Sequence, residues 1–196
     1  MGLYKYIREA WNQGPLDLLR SRLIKWRREP TVVRIERPTR LDRAHSVGYK
    51  AKKGFVVVRV RLLRGGRQRP RQKSGRKSYS SRRLKILAIN YQRVAEERAN
   101  NKFLNCEVLN SYFVAKDGLH YWYEIILADR ELVSKYPGYE WLANPATLGR
   151  VYRGKTRSGR KARGLLVKGK GAEKARPSKD ARWRYKYSLK KKRFGH

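Results

Sequence analysis

The chain has 196 residues, with 51 Lys and Arg against 15 Asp and Glu, for a formal net charge of +36. A free domain is usually kept soluble by a charge of magnitude about 2–8, and a much larger excess opposes compaction unless something acidic neutralises it. No run approaches the roughly 18 apolar residues of a spanning helix, residues 1–9 lack the apolar core of a secretory signal, and the single Cys106 excludes an internal disulfide or a cysteine metal cluster, so a soluble intracellular protein is expected.

In chain order, residues 3–11 form a short helix that Gly14-Pro15 breaks. Residues 15–28 form a second helix, with Pro15 in its first turn and Leu16, Leu19, Leu23 and Trp26 or Ile24 near one face. Pro30 ends it, and the β-branched run 31–36 is a strand. Residues 38–44 suggest a short helix capped by Thr39, with Asp42 three residues on. Residues 55–63 are a strand with Val56, Val58, Val60 and Leu62 on one face and Phe55, Val57, Arg59 and Arg61 on the other. The first face reads as core and the second as an outer, increasingly cationic face.

Residues 64–83 carry Gly65-Gly66, Pro70 and Ser74-Gly75 with no apolar pattern, a loop too long for an ordinary connection. The clearest helix spans 84–102, with Leu84, Leu87, Ala88, Tyr91, Val94, Ala95 and Arg98 along one stripe. Residues 105–115 and 119–128 flank Lys116-Asp117-Gly118 as a hairpin. In its second strand Tyr121, Tyr123, Ile125 and Leu127 alternate with His120, Trp122, Glu124 and Ile126, so both faces are substantially apolar. Residues 132–136 form one helical turn, and Pro145 closes the folded part. Beyond Thr156, Gly recurs without apolar periodicity, and this tail is expected to be disordered in isolation. The fold class is α+β: a small, mostly antiparallel four-stranded sheet with helices packed on it, plus a long basic loop and extended basic N- and C-terminal segments.

Charge is distributed unevenly. Residues 84–149 hold 7 basic and 8 acidic side chains, whereas 64–83 hold 9 basic and none acidic, and 150–196 hold 19 basic and 2 acidic. The chain therefore divides into an N-terminal helical segment 1–30, a globular domain 31–149 that carries the basic loop 64–83, and a basic C-terminal extension 150–196. Long runs of one sign repel themselves and order only against a partner. In these runs Arg and Lys interleave with Gly, Tyr and Trp, as in Arg64-Gly65-Gly66-Arg67, Gly159-Arg160-Lys161 and Arg182-Trp183-Arg184-Tyr185. Guanidinium groups meet phosphate oxygens bidentately, and aromatic rings stack on unpaired bases. RNA is the polyanion this chemistry favours. The candidate contacts are Lys50, Lys52, Lys53, Arg59, Arg61, Arg64, Arg67, Arg69, Arg71, Arg76, Arg160, Lys161 and Arg163, with Tyr49 and Trp183 as stacking residues; Trp11, Trp26 and Trp141 are assigned to the core.

No catalytic set emerges. His45, His120 and His196 are scattered, Cys106 reads as a strand residue, and the adjacent Glu96 and Glu97 diverge on a helix and pair with Arg93 or Arg98. Gly149-Arg150-Val151-Tyr152-Arg153-Gly154-Lys155-Thr156 formally matches a P-loop. The match is read as accidental, since no apolar strand precedes it, no helix is expected after it, and its intervening residues are bulky and basic.

Several ordered motifs carry a resemblance. Tyr4-Lys5-Tyr6-Ile7, Glu36-Arg37-Pro38-Thr39-Arg40, Gly48-Tyr49-Lys50-Ala51-Lys52-Lys53-Gly54, Val94-Ala95-Glu96-Glu97-Arg98-Ala99 and Val108-Leu109-Asn110-Ser111-Tyr112 run in sequence along nearly the whole chain. In these the chain resembles the archaeal and eukaryotic large-subunit ribosomal protein family known as L fifteen e, and its ending resembles the archaeal form. The resemblance implies an α/β/α-layered domain with extensions threaded among RNA helices. It also implies direct binding to large-subunit ribosomal RNA, neighbouring large-subunit proteins as partners, a cytoplasmic location and no catalysis. No cofactor, membrane or small-molecule substrate is expected, with Mg2+ present only as bound by the surrounding RNA. The alternative is a free-standing basic module that anneals RNA or binds DNA.

Overall fold

Period-two runs make the sheet. The computed structural model describes residues 2–14, 16–70, 74–75, 83–85, 87, 89–167, 169–175 and 179–194. Strands β1 (Val32–Ile35), β2 (Phe55–Leu63), β5 (Cys106–Lys116) and β6 (His120–Asp129) form one antiparallel sheet in the order β1-β2-β6-β5. The hairpin forms where Asp117-Gly118 marks it, closed by a three-residue loop in which Asp117 Oδ1 accepts from the Leu119 amide at 2.8 Å. The register slips at Val108/Asn110 and Phe113/Ala115, which bends β5 along its open edge. A short pair, β3 (Arg67–Gln68) with β4 (Leu84–Lys85), closes the base of the basic loop.

Helices cover both faces. Helices α1 (Leu3–Gln13), α2 (Leu16–Arg28) and α3 (Leu41–Ser46) lie on one side, and α4 (Tyr91–Lys102) on the other. Under α4, Val58, Val60, Leu62, Ile125 and Leu127 pack with Ala95 and Ala99. Under α2 and α3, Trp122, Ile126, Tyr112 and Val114 pack with Leu23, Trp26 and Ala44. Each fully buried branched side chain contributes about 1.5–3 kcal/mol, so the two-sided apolar pattern of β6 drives a three-layer α/β/α body.

Several expectations are corrected. The far face of β2 is not an outer face: α2 covers it, and Val57 and Arg59 are buried. The helix expected over 84–102 begins only at Tyr91, where Asn90 Oδ1 caps it by accepting from Arg93 N at 2.8 Å. Leu84 and Lys85 instead extend to pair with β3. The turn expected over 132–136 is α5 (Arg130–Val133), set by Asp129, whose Oδ1 accepts from the Glu131 and Leu132 amides. The folded body also continues past Pro145. Val151 lies fully buried in the α4-side core, and α6 (Arg157–Ala162) packs beside α4 and β5. Most of the tail's end is helical, α7 (Lys179–Phe194), because Lys, Arg, Ala and Leu favour helix even where no apolar stripe exists.

Thr39 does not cap α3. Its amide donates to Glu124 at 3.1 Å and its hydroxyl donates to the same carboxylate at 2.5 Å, while the Tyr112 hydroxyl also donates to it. A buried charge without donors costs more than the roughly 1 kcal/mol of a cap, so the hydroxyl goes to the carboxylate. Burial nonetheless raises the Glu124 pKa above the usual carboxylate value, offset only partly by the Thr39 and Tyr112 hydrogen bonds. The folded state therefore holds this proton more tightly than the unfolded chain. Stability from Glu124 is present at low pH and is lost as pH rises from the ordinary carboxylate range through the raised pKa. Glu124→Gln, a mimic of the protonated form, is expected to remove that decline. Urea midpoints of both proteins from about pH 4 to about pH 8 check it; a wild-type-minus-variant difference that does not change with pH contradicts it.

Candidate nucleic-acid interface

The cations singled out by sequence divide according to what holds them. Lys50, Lys52 and Lys53 are exposed in the turn between α3 and β2. Lys50 lies over the Tyr139 ring at 4.9 Å and Lys52 over Tyr136 at 5.4 Å, while the Tyr136 hydroxyl donates to the Lys53 carbonyl at 3.0 Å. Two tyrosines thus brace this turn from beneath. Tyr49 is half-buried, with its ring edge toward His45 at 5.7 Å, and packs against the α2-side core rather than standing open for stacking.

Arg59 and Arg61 serve the protein interior. Arg59 is 9 % exposed, donates to Glu29 at 2.6 Å and lies over Trp26 at 4.3 Å. Arg61 donates to the carbonyls of Trp26 and Arg27, which the end of α2 leaves without helical partners. Both arginines therefore fasten α2 to the sheet.

Arg64 is exposed, donates to the Asp117 carbonyl at 2.6 Å and covers Tyr121 at 5.0 Å. Arg67 and Arg69 are exposed at the base of the loop, and Arg71 and Arg76 lie outside the described residues. On α6, Arg160 and Lys161 are exposed, whereas Arg163 is half-buried and donates to the Gly154 carbonyl at 3.4 Å. Trp183 is 66 % exposed on α7, stacked on Tyr187 one helical turn away at 5.4 Å. Of the three tryptophans assigned to the core, Trp26 is buried, Trp11 is half-buried under Arg40 at 5.0 Å, and Trp141 is partly exposed under Arg150 at 4.4 Å.

The P-loop-like stretch is a structural corner. A helix does follow it, contrary to expectation, but turns and a 3-10 segment at Pro145–Thr147 precede it in place of a strand. The Thr156 side chain caps α6, accepting from the Gly159 amide, and its hydroxyl donates to the buried Glu96 at 2.7 Å. That hydroxyl cannot also hold a nucleotide-bound metal ion. The glycines serve packing: a Cβ on Gly159 would lie 2.5 Å from the Gly154 Cα. Gly159→Ala gains about 1 kcal/mol of helix propensity but meets backbone that cannot yield. We expect a net loss of about 1–3 kcal/mol, seen as a lower Tm. Gly118→Ala, where an added methyl meets nothing within 4 Å, is the neutral control.

Sequence reasoning missed one feature. A cleft of about 510 Å³ runs along the open edge of β5, with Arg40, Arg43, Arg157 and Lys161 in its lining. Only Lys161 stood out in sequence, because the others sit in short mixed segments. No sequence signal marked the cleft, since Arg40 and Arg43 flank Asp42 and the other two cations lie more than a hundred residues away. Among the described residues no cluster of His, Cys, Asp or Glu is placed to hold a metal ion, and no helix is long and apolar enough to cross a membrane. Cys106 is buried, and burial, helped by Asp129, pushes its thiol up to about 11, as befits an inert strand residue.

Comparison with known proteins places the chain in a family. The family profile described as Ribosomal L15 matches residues 2–182. The chain is also 48 % identical over 189 residues to the large ribosomal subunit protein eL15 of Nanoarchaeum equitans, covering 94 % of this chain and all of that relative. A match of this extent and identity carries the assignment: the chain belongs to the ribosomal L15e family.

Proposed function

We propose that this protein is a structural constituent of the large ribosomal subunit and binds large-subunit ribosomal RNA through its exposed cations. The observation that carries the reading is family membership joined to a +36 chain whose cations cluster in the α3–β2 turn, the basic loop and α6. Phosphate contacts of this kind fix position and register and do not by themselves read sequence. The sheet and its helices hold the α3–β2 turn, the base of the basic loop and α6 at fixed positions, so that RNA segments packed against them are neutralised where they would otherwise repel. A non-catalytic role fits the buried carboxylates Glu96 and Glu124, which are occupied by hydroxyl and amide donors from the protein itself. Neighbouring ribosomal proteins are its expected partners, the cytoplasm its location, and any Mg2+ nearby belongs to the RNA.

Sedimentation of cell lysate through a sucrose gradient in moderate salt tests the proposal. The protein is expected in the large-subunit peak. Recovery mainly from light fractions would replace this reading with that of a free-standing nucleic-acid-binding module.

A further inference from the structure

We propose that the cleft along the open edge of β5 is a pocket for one unpaired nucleotide of the bound RNA. Arg43, Arg157 and Lys161 would hold its phosphate, and Phe113 would meet its base. The proposal rests on the RNA-binding reading above and adds a specific receptor to it.

Four observations carry it. The cleft volume of about 510 Å³ suits a small ligand rather than a flat contact. Cations enter its lining from both helical layers, Arg40 at the start of α3 and Arg43 within it, and Arg157 and Lys161 on α6, and no acidic residue joins them. Among the described residues, Arg43, Arg157 and Lys161 have no ion-pair partner. Arg40, with its side chain only 10 % exposed, pairs with Asp42 at 3.2 Å, yet its Nε has no hydrogen-bond partner. A buried donor left in this way beside a polar cleft calls for an acceptor.

The lining also separates a nucleotide from other occupants. An added peptide strand would need the free backbone groups of β5, but these are partly engaged. The Ser111 carbonyl accepts from Gln92 at 2.9 Å, its amide donates to Asn110 at 3.0 Å, and the Val108 carbonyl accepts from Arg150 at 3.4 Å. Two bulges further break the template. An RNA duplex presents a convex surface that a cleft of this size does not admit, whereas a splayed nucleotide enters readily and stacks on an aromatic ring. Phe113 is 41 % exposed there. Gln92 and Asn110 each use one end of the amide in the bonds above, leaving the Gln92 carbonyl and the Asn110 NH2 to meet a base edge.

Ultraviolet crosslinking of native large subunits, followed by nuclease and trypsin digestion and mass spectrometry, tests this. The expected result is a mononucleotide adduct on Phe113, the exposed ring of the cleft. Adducts at the 50–53 turn or at Trp183 with none on Phe113 would overturn the pocket while leaving RNA binding intact. Absence of adducts anywhere on the chain would overturn both. As a second measurement, particles carrying Arg157→Gln with Lys161→Gln are expected to show raised 2′-hydroxyl acylation at one ribosomal RNA nucleotide. A diffuse rise over a whole helix, or no rise, counts against a single seated nucleotide.

Discussion

Glu96→Ala is expected to destabilise the protein by about 3–5 kcal/mol, the sum of several orphaned buried hydroxyls at about 1–3 kcal/mol each. Glu96 is fully buried on α4 and accepts from Ser111 on β5, from Thr156 at 2.7 Å and from Ser158 at 2.6 Å. One carboxylate thus joins the helix, the edge strand and the start of α6. Burial pushes its pKa up, and the Ser111, Ser158 and Thr156 hydroxyls together with Arg93 only partly offset this. The site is therefore held by hydrogen bonding more than by charge. Glu96→Gln retains an acceptor, and we expect it to cost about 1–2 kcal/mol. Urea titration followed by circular dichroism measures both variants. An alanine variant within about 1 kcal/mol of wild type would mean that the hydroxyls find other partners, and that α6 does not depend on this link.

What the sequence made legible follows from periodicity. The two-residue repeat located β2 and β6, the Asp-Gly turn located β5 beside β6, and the two apolar faces of β6 fit the helices found on both sides. Glu96 was hidden because it adjoins Glu97 on a charged helix; Glu97 behaves as a surface partner of Arg93 at 2.9 Å, whereas its neighbour turns inward to hydroxyls from distant segments. No local pattern announces such long-range donors. Arg59 and Arg61 were misplaced for a related reason. Alternation assigns a residue to a face and does not say what covers that face, and α2 covers this one. Helix α6 was masked by its basic composition, since Val151, Thr156 and Ser158, its links to the core, are spaced too irregularly to read as a stripe. The cleft arises only where two layers meet at the edge of β5, so its four cations come from segments far apart in the chain, a juxtaposition that folding creates.

Converting Lys50, Lys52, Lys53, Arg67, Arg69 and Arg160 together to Gln is expected to separate RNA affinity from stability. Each phosphate that is no longer neutralised should lower the slope of log affinity against log salt by about 0.7–0.9, or about 4–5 for six phosphates. All six side chains are exposed, and among the described residues only Lys50 and Lys52 of the six rest on rings, at about 0.5–1 kcal/mol each, so the urea midpoint should move little. Arg59→Gln predicts the opposite pattern. It breaks the 2.6 Å bond to Glu29 and the packing on Trp26, for an expected loss of about 1.5–3 kcal/mol, yet leaves the salt slope unchanged because the guanidinium is buried under α2. Salt titrations with a large-subunit ribosomal RNA fragment, paired with urea titrations, resolve the two patterns. A sextuple variant whose slope stays within about one of wild type would remove phosphate neutralisation as the role of these side chains. A flattened slope in Arg59→Gln would place that arginine at the RNA surface and contradict its position between Glu29 and Trp26.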